Sequence, residues 1–368
     1  MRATSLALLS GLAVASPVFS QAIVSPEVLP DKRVTFRLLA PDAKQVRLRW
    51  EGFEKADLQK DEKGVWSFTS QPVEPDYYAY VFEVDGCQVV DPNNWLFKHT
   101  LLTTESQLHV PGPASLPWEL NDVPHGQLHR YFYHSKVGGD DREFFVYTPP
   151  GYDAKSSKRY PVLYLLHGYS DDASGWSTLG RANVILDNLI ARKQAKPMIV
   201  VMPLGYGALE IIRNGWPAAR KPGAWEQNLV RFQETLLNEV MPQAEKAYRI
   251  LPDAGSHAVA GLSMGGAEAL RVGLTTLDRF AWIGSFSAGG VGDDFATVFP
   301  GLDEKANSRL RLLWMACGRE DNLFAPNQNL EQWLQSKGVH HSWNATPGAH
   351  IWPVWRRNLA RFAPLLFQ

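Results

Sequence analysis

The sequence predicts two domains, a small all-β domain followed by a larger α/β domain. Three observations lead to this prediction: segments with period-two alternation fill residues 23–112, strand–helix alternation fills residues 126–368, and a proline-rich linker, 113–125, separates them. The 368 residues are 45% hydrophobic and 20% charged, an ordinary globular composition with enough apolar surface for two cores.

Residues 1–22 have the pattern of a secretory signal peptide. Arg2 precedes a short apolar run over residues 6–14, and residues 20–22 have the small-x-small pattern of a cleavage site. The apolar run is too short for a permanent membrane span. The sequence therefore predicts cleavage after Ala22, with Ser20 as the alternative, and a secreted or periplasmic protein.

Charge and cysteine content narrow the classes of function. The net charge is −1 at pH 7, so no global field attracts nucleic acid or an anionic membrane. Cys87 and Cys317 fall in different predicted domains, and we expect two free, buried thiols. The sequence contains no Cys/His cluster with metal-ligand spacing and no phosphate-binding or dinucleotide-binding glycine pattern. We therefore expect no metal, no cofactor, and neither a nucleic-acid nor a membrane partner.

The predicted all-β domain has four strand segments separated by turns. The segments are residues 34–38, 45–50, 64–68 and 78–84. Short alternating strands at this spacing are typical of an immunoglobulin-like β-sandwich. Four aromatic residues lie on these strands: Trp50, Trp66, Tyr78 and Tyr80. Most of them must belong to the core of the sandwich, and a sugar-binding surface is the alternative.

The second domain alternates apolar strands with amphipathic helices. The predicted strands are 143–148, 162–166, 198–202, 282–286, 312–316 and 342–345. The predicted helices are 177–193, 226–247, 266–277, 325–337 and 352–362. Continuous apolar strands that alternate with helices indicate a mostly parallel sheet covered on both faces.

The stretch Gly261-Leu262-Ser263-Met264-Gly265 matches G-x-S-x-G between a predicted strand and a predicted helix. In that context the pattern is the nucleophile elbow of an α/β-hydrolase fold, in which a sharp turn exposes the serine hydroxyl. Glycines are needed because larger side chains would collide with the neighbouring strand and helix. The sequence thus predicts Ser263 as a nucleophile.

A serine nucleophile needs a histidine base and a carboxylate that orients the base, and in this fold they follow the serine in the order acid, then histidine. His350 follows the last predicted strand and is the predicted base, whereas His340 and His341 lie at the wrong end of that strand. Asp321 follows the preceding strand and is the predicted acid. Glu320 is the alternative acid.

Two backbone N–H groups must stabilise the tetrahedral intermediate of acyl transfer. We predict the N–H of Met264, directly after the nucleophile, and the N–H of Tyr169, in the loop after strand 162–166. Gly168 allows this loop to turn close to the serine. For His167 we expect a structural hydrogen bond.

Four motifs resemble those of a known family: YLLHG at 164–168, GLSMGG at 261–266, CGRED at 317–321 and GAHIW at 348–352. They are similar to motifs of the feruloyl and acetyl-xylan esterases of carbohydrate esterase family one, an esterase-D-like group that also includes siderophore esterases. The similarity runs from about residue 125 to the C-terminus, and the family's triad pattern falls on Ser263, Asp321 and His350. One departure is Ala349, where a second glycine is usual.

The all-β domain resembles the family-48 carbohydrate-binding, or early-set, module that often precedes such esterases, with DPNN at 91–94 and VPG at 110–112. The resemblance implies a serine carboxylic-ester hydrolase. The expected substrate is acylated xylan or xylo-oligosaccharide, with ferulate as the acyl group. Open alternatives are an acetyl-xylan esterase, a siderophore esterase, an acyltransferase and a non-catalytic carbohydrate-binding protein.

Tryptophans are candidate substrate contacts because their rings stack on sugars and on phenolic groups. Trp176 follows the predicted oxyanion loop, and Trp216 and Trp225 lie in a long loop, 205–225, rich in Gly, Pro, Trp and Arg. We predict that these three residues bind substrate, with core packing as the alternative for each.

The siderophore alternative depends on charge. An iron-loaded catecholate trilactone is strongly anionic and would need several cations near the serine. The same long loop carries three: Arg213, Arg220 and Lys221.

Overall fold

The computed structural model describes residues 23–368, so the predicted signal peptide lies outside the described residues. This part of the chain forms two small antiparallel sheets followed by a domain around an eight-stranded sheet. The predicted fold class is confirmed. Among the described residues, no helix combines the length and the apolar character that a membrane crossing requires.

The amino-terminal domain, here called the β-domain, contains ten strands. They are β1 (Glu27–Val28), β2 (Val34–Leu39), β3 (Val46–Trp50), β4 (Ala56–Asp57), β5 (Gln59–Lys60), β6 (Val65–Thr69), β7 (Tyr77–Val84), β8 (Cys87–Val89), β9 (Phe97–His99) and β10 (Thr104–His109). One sheet has the order β1-β2-β6-β5, and the other has the order β4-β3-β7-β10-β9 with β8 paired to β7. The four predicted strand segments are confirmed as β2, β3, β6 and β7.

The core of the β-domain follows the period-two pattern of its strands. Along β3, for example, apolar side chains are buried and the intervening arginines are partly exposed. All four aromatic residues of the predicted strands are buried in this core: Trp50, Trp66, Tyr78 and Tyr80. Core packing is therefore confirmed for them, and they do not form a sugar-binding surface.

The carboxyl-terminal domain contains eight strands: β11 (Gln127–Ser135), β12 (Asp140–Thr148), β13 (Val162–Leu166), β14 (Ile199–Pro203), β15 (His257–Leu262), β16 (Trp282–Phe286), β17 (Leu312–Gly318) and β18 (Ser342–Thr346). Their order is β11-β12-β14-β13-β15-β16-β17-β18. The six strands from β13 to β18 are parallel, and β11 and β12 are antiparallel to their neighbours. The mostly parallel sheet is confirmed.

Helices cover both faces of this sheet. They are α1 (Gly175–Thr178), α2 (Ala182–Ala191), α3 (Glu210–Arg213), α4 (Gly215–Ala219), α5 (Ala224–Thr235), α6 (Met241–Ala247), α7 (Met264–Thr275), α8 (Phe295–Val298), α9 (Phe324–Ser336) and α10 (Trp352–Phe362). A π-helical turn, Leu236–Val240, joins α5 to α6 and completes the predicted helix 226–247. The loop predicted over 205–225 contains the short helices α3 and α4.

Two predictions about local structure are wrong, and the larger domain has one strand, β11, that the sequence does not predict. The helix predicted over 177–193 is broken between α1 and α2, because Gly180 packs against the Trp176 ring and Arg181 has a left-handed φ of 54°. Strand β11 was not predicted, since its polar, half-exposed sequence has no continuous apolar run. Cys87 is exposed because β8 is a short strand with every side chain in solvent, whereas Cys317 is buried as expected.

The linker is packed against the carboxyl-terminal domain rather than extended in solvent. Trp118 is only 5% exposed and belongs to the core cluster under the eight-stranded sheet. The side-chain amide of Asn188, on α2, donates hydrogen bonds to the carbonyls of Pro117 (2.7 Å) and Glu119 (2.8 Å). These contacts fix the β-domain close to the larger domain.

A buried ion pair joins the two domains. Arg356 of α10 is 1% exposed, and its Nε donates to Asp76 Oδ1 of the β-domain at 2.8 Å. Its remaining guanidinium nitrogens donate to the carbonyls of Leu179 and Tyr77. Arg357 Nη2 lies 3.1 Å from Asp76 Oδ2. Every guanidinium nitrogen of Arg356 has a partner, and Asp76 Oδ2, which accepts no hydrogen bond, is balanced by the Arg357 charge, so the two charges are tolerated away from water.

Replacing Asp76 by asparagine should lower the free energy of unfolding by about 3 kcal/mol, because it leaves the buried Arg356 charge without its counter-charge. Urea denaturation followed by tryptophan fluorescence measures this change. The matched control is Asp141→Asn, which removes an exposed carboxylate paired with His134 and should leave the unfolding midpoint unchanged. Equal midpoints for Asp76→Asn and the wild type would contradict the importance of this pair.

Candidate active site

Ser263 stands at the sharp turn between β15 and α7. Its φ of 51° and ψ of −117° form a strained conformation that projects the side chain out of the turn. A Cβ added at Gly261 would lie 2.3 Å from the Gly265 carbonyl oxygen, and one added at Gly265 would lie 2.5 Å from the His167 carbonyl oxygen. Only glycine fits at both positions, so the sequence motif corresponds to a real steric requirement.

The structure brings the three predicted triad residues into one hydrogen-bonded chain. Ser263 Oγ lies 2.9 Å from His350 Nε2, and His350 Nδ1 lies 2.8 Å from Asp321 Oδ2. A carboxylate accepts a hydrogen bond, so Nδ1–H donates to Asp321 and Nε2 is left to accept the serine proton. All three residues follow the carboxyl ends of parallel strands β15, β17 and β18. Their catalytic roles stay a prediction.

Asp321 is held in its charged form. Burial raises its pKa, but hydrogen bonds from His350, from the Leu323 N–H at 2.8 Å and from the Ser287 hydroxyl outweigh that effect, so the pKa lies below its usual value. The alternative acid, Glu320, points elsewhere and accepts a hydrogen bond from the Gly348 N–H at 2.5 Å. Glu320 thus braces the loop before His350, and Asp321 contacts the histidine itself.

Ser287 is a site residue that the sequence reasoning missed. It is fully buried, follows β16 and has a left-handed φ of 52°. Besides contacting Asp321, its hydroxyl accepts a hydrogen bond from Trp355 Nε1 at 3.3 Å, and the Trp355 ring stands edge-on to His350 at 4.8 Å. The only sequence signal was its place after a parallel strand, where residues of such sites collect.

The predicted oxyanion donors lie beside the nucleophile. Met264 is the first residue of α7, so its N–H has no acceptor within the helix. The loop that carries Tyr169 is equally close, since a Cβ added at Gly168 would lie 3.3 Å from Ser263 Cβ. The next residue, Ser170, already donates its N–H to the Tyr206 hydroxyl at 2.8 Å. The roles of Tyr169 and Met264 as donors stay a prediction.

His167 has the structural hydrogen bonds expected of it. It is buried, its Nδ1 donates to the Gly168 carbonyl at 2.8 Å, and its Nε2 accepts the Gly205 N–H at 2.8 Å. Burial lowers its pKa and keeps the ring neutral. His167 therefore ties the Tyr169 loop to the start of the long loop over 205–225.

The prediction that Trp176 binds substrate is wrong. Its side chain is completely buried, and Nε1 donates to the Leu166 carbonyl at 2.8 Å. The ring packs edge-on against Phe286 and Trp352 beneath the sheet. Trp176 belongs to the core cluster under the eight-stranded sheet, so the packing alternative holds.

Trp216 and Trp225 do lie beside the candidate site. The Trp216 ring centroid is 4.2 Å from that of Tyr169 and the side chain is 49% exposed. The Trp225 ring is 5.6 Å from Tyr169 and packs against Gly290, whose neighbour Gly289 donates its N–H to the Ser263 carbonyl at 2.9 Å. Tyr169, Trp216 and Trp225 form a partly exposed group, here called the aromatic cluster.

The three cations of the long loop are exposed: Arg213, Arg220 and Lys221. Within residues 23–368 none of them has an ion-pair partner at 4.0 Å or less. The Arg220 guanidinium lies 5.8 Å from the centre of the Trp216 ring. These charges remain available to an anionic ligand.

Comparison with known proteins points to esterases. The family described as "Putative esterase" matches residues 135–366. An endo-1,4-beta-xylanase/feruloyl esterase from Xylanibacter ruminicola is 31% identical over 351 residues, which are 93% of this chain and 46% of that protein. An acetyl esterase from Caldicellulosiruptor saccharolyticus is 23% identical over 55% of this chain and 82% of that protein. The chain thus spans about half the length of the first of these relatives.

Solved esterase structures share the fold. A ferulic acid esterase is 25% identical with a TM-score of 0.55 and covers 66% of this chain and 99% of its own. A CE1 ferulic acid esterase from Anaeromyces mucronatus is 24% identical with a TM-score of 0.60 over 70% of this chain and 96% of its own. The enterobactin esterase from Shigella flexneri is 20% identical with a TM-score of 0.67 over 90% of this chain and 92% of its own, so that likeness extends into the β-domain.

Asp321→Asn should slow the reaction of Ser263 with a fluorophosphonate probe by about 10³- to 10⁴-fold, because an amide in place of the carboxylate favours the wrong histidine tautomer. The labelling rate, measured by intact-protein mass, tests this expectation, with Ser263→Ala as the blank. Glu320→Gln is the matched control and should react within about tenfold of the wild-type rate. A larger loss for Glu320→Gln than for Asp321→Asn would reverse the assignment of the acid.

Proposed function

The chain belongs to the esterase family, and from that premise we propose that it is a feruloyl esterase that releases ferulate from feruloylated xylan or xylo-oligosaccharide. One observation carries the proposal, namely the hydrogen-bonded chain from Ser263 through His350 to Asp321, at distances of 2.9 and 2.8 Å. This arrangement is that of a serine nucleophile with its base and orienting acid, which performs acyl transfer on many folds.

The reaction follows from the positions of these groups. His350 Nε2 accepts the proton of Ser263 as its Oγ attacks the ester carbonyl, and the charged Asp321 stabilises the imidazolium that forms. The N–H groups of Met264 and Tyr169 stabilise the oxyanion of the tetrahedral intermediate. The imidazolium then protonates the departing sugar hydroxyl, and a water molecule activated by the same histidine hydrolyses the acyl-enzyme.

The aromatic cluster supports a phenolic acyl group. Trp216 presents a flat apolar surface next to Tyr169, whose backbone N–H is the proposed oxyanion donor, so we expect a planar acyl ring to stack there during attack by Ser263. An acetyl group is too small to use such a surface. The relative named as a xylanase/feruloyl esterase lends the same support to ferulate.

The exposed cations of the long loop support a second candidate function, that of a siderophore esterase. The unpaired cations Arg213, Arg220 and Lys221 would favour a strongly anionic catecholate trilactone over a neutral feruloylated sugar. We rank the feruloyl substrate first because the cations are exposed, where salt screens them, and the aromatic surface is adjacent to the nucleophile.

We further propose that the protein is exported, on the pattern of residues 1–22. A polymeric xylan does not enter cells, so an esterase of this class works where the polymer is found. On its sequence resemblance, we propose that the β-domain is a family-48-type module, although the aromatic residues of its main strands are buried in its core.

The substrate class is tested by kcat/KM on methyl ferulate, p-nitrophenyl acetate, acetylated xylan and a catecholate trilactone. We expect methyl ferulate to exceed the trilactone by at least about tenfold, and Ser263→Ala to abolish turnover of all four. A preference for the trilactone would favour the siderophore candidate, and a preference for acetylated xylan would favour an acetyl-xylan esterase. Retained turnover by Ser263→Ala would reject the proposed mechanism.

Trp216→Ala should raise KM for methyl ferulate about fivefold, because loss of one stacked ring costs about 1 kcal/mol. KM for p-nitrophenyl acetate, whose acetyl group does not reach the ring, should change less than twofold. Trp95→Ala removes a tryptophan that is 82% exposed in the β-domain and serves as the control. Equal effects of Trp216→Ala on both esters would show that the ring does not select the acyl group.

A further inference from the structure

We propose that Glu51 of the β-domain is a positioning residue for the base His350, so that the β-domain is a structural part of the active site. The inference rests on the proposed function, because it assigns His350 its role in that reaction. It does not require the β-domain to touch the substrate.

Glu51 is anchored in its own domain and reaches into the other. It follows β3, and its N–H donates to the Ala79 carbonyl of β7 at 2.8 Å while its Oε2 accepts the Ala79 N–H at 3.1 Å. Its second oxygen, Oε1, accepts the N–H of Trp352 at 2.9 Å. Both carboxylate oxygens are therefore committed, and the side chain has one defined position between the domains.

The hydrogen bond from the Trp352 N–H to Glu51 is formed two residues beyond His350. Trp352 is the first residue of α10, and its N–H has no acceptor within the helix. The residue before it, Ile351, provides no side-chain cap, so the carboxylate of Glu51 performs that function from another domain. A negative charge at this end of α10 also interacts favourably with the helix dipole.

A second contact, with Gly52 of the β-domain, holds Ile351, which lies between His350 and Trp352. Gly52 packs on the Ile351 side chain so closely that a Cβ added there would lie 3.2 Å from Ile351 Cδ1. Further along α10, the buried pair of Arg356 with Asp76 fixes the second turn of the helix to the same domain. The loop that carries the base thus ends in a helix that the β-domain holds at its start and in its second turn.

The β-domain also contacts the loop on the other side of the nucleophile. The Leu101 N–H, in the turn between β9 and β10, donates to the Ser170 carbonyl at 2.7 Å, and Ser170 follows the proposed oxyanion donor Tyr169. Nearby, Lys98 of β9 is largely buried and lies 3.4 Å from Glu105. Burial lowers the Lys98 pKa, but the carboxylates of Glu51, Glu105 and Asp171 outweigh it, so the ammonium stays charged.

The Lys98 charge also acts electrostatically on both domains. Glu51 belongs to the β-domain and Asp171 to the Tyr169 loop, and both carboxylates raise the Lys98 pKa through space, whereas the direct ion pair of Lys98 is with Glu105. Burial raises the pKa of Asp171 to about 7, and Lys98 opposes this rise. The direct contact of the β-domain with the loop of the oxyanion donor is the hydrogen bond from Leu101 to Ser170.

Catalysis tolerates only small changes in the distances from His350 to its two hydrogen-bond partners. His350 must keep two hydrogen bonds at once, to Ser263 and to Asp321, and a displacement of about 1 Å can reduce a rate about a hundredfold. Removing the Glu51 carboxylate frees the Trp352 N–H and lets the start of α10 shift. We expect substrate binding to change little, because the Glu51 side chain hydrogen-bonds to Ala79 and Trp352 and not to a residue of the aromatic cluster.

The test is Glu51→Ala in the full chain, assayed with p-nitrophenyl acetate, a small substrate whose turnover still requires a correctly placed His350. We expect kcat to fall about ten- to a hundredfold while KM changes less than twofold. Glu51→Gln keeps an oxygen that accepts the Trp352 N–H and should recover kcat to within about threefold of wild type. Glu54→Ala, an exposed glutamate three residues away, is the matched control and should behave as wild type.

Active-site titration with the fluorophosphonate probe corrects every kcat for the fraction of folded protein. If Glu51→Ala does not fold, Glu51→Asp, whose side chain is one methylene shorter, provides the same comparison. Wild-type kcat in a folded Glu51→Ala or Glu51→Asp variant would overturn the inference, as would equal losses in Glu51→Ala and Glu51→Gln. Failure of the proposed function gives a different result, namely turnover that persists in Ser263→Ala.

Discussion

The hydrogen bond between Ser263 and His350 is the constraint on which the rest of the structure depends. It joins residues 87 positions apart, at the carboxyl ends of strands that are not neighbours in the sheet. Two intervening strands contribute as well, because β16 leads to Ser287 and β17 leads to Asp321. A twisted parallel sheet is a rigid frame that can hold such distant residues within a few tenths of an ångström. The elbow glycines, the buried acid and the packed loops all serve that one contact.

Much of this site could be predicted from the sequence, because its chemistry is tied to local patterns. The glycines around Ser263 reveal the elbow, and the chain order of Asp321 and His350 after parallel strands follows from the fold. The structure places the three in contact, while their chemical roles remain proposals. The choice of Asp321 over Glu320 also has a physical reason: two adjacent residues of a loop point in different directions, and the shorter side chain fits beneath the histidine.

The features that the sequence does not predict depend on where a side chain points and on contacts between distant parts of the chain, rather than on residue type. Trp176 and Trp216 look alike in sequence, yet one ring turns under the sheet and the other stands in solvent. Ser287 has no motif, since a single buried hydroxyl leaves no periodic signal. The contact of Glu51 with Trp352 spans 301 positions and crosses two domains, which no local pattern encodes. The break at Arg181 depends on the close packing of one ring against Gly180.

The central claim is acyl transfer through Ser263, and mass spectrometry of a rapidly quenched reaction tests it most directly. Wild-type protein mixed with a feruloyl ester and quenched in acid within the first turnover should carry one feruloyl group on the peptide that contains Ser263. The adduct should decay as free ferulate appears. A feruloyl group on any other residue, or product release with no adduct at any quench time, would contradict this account.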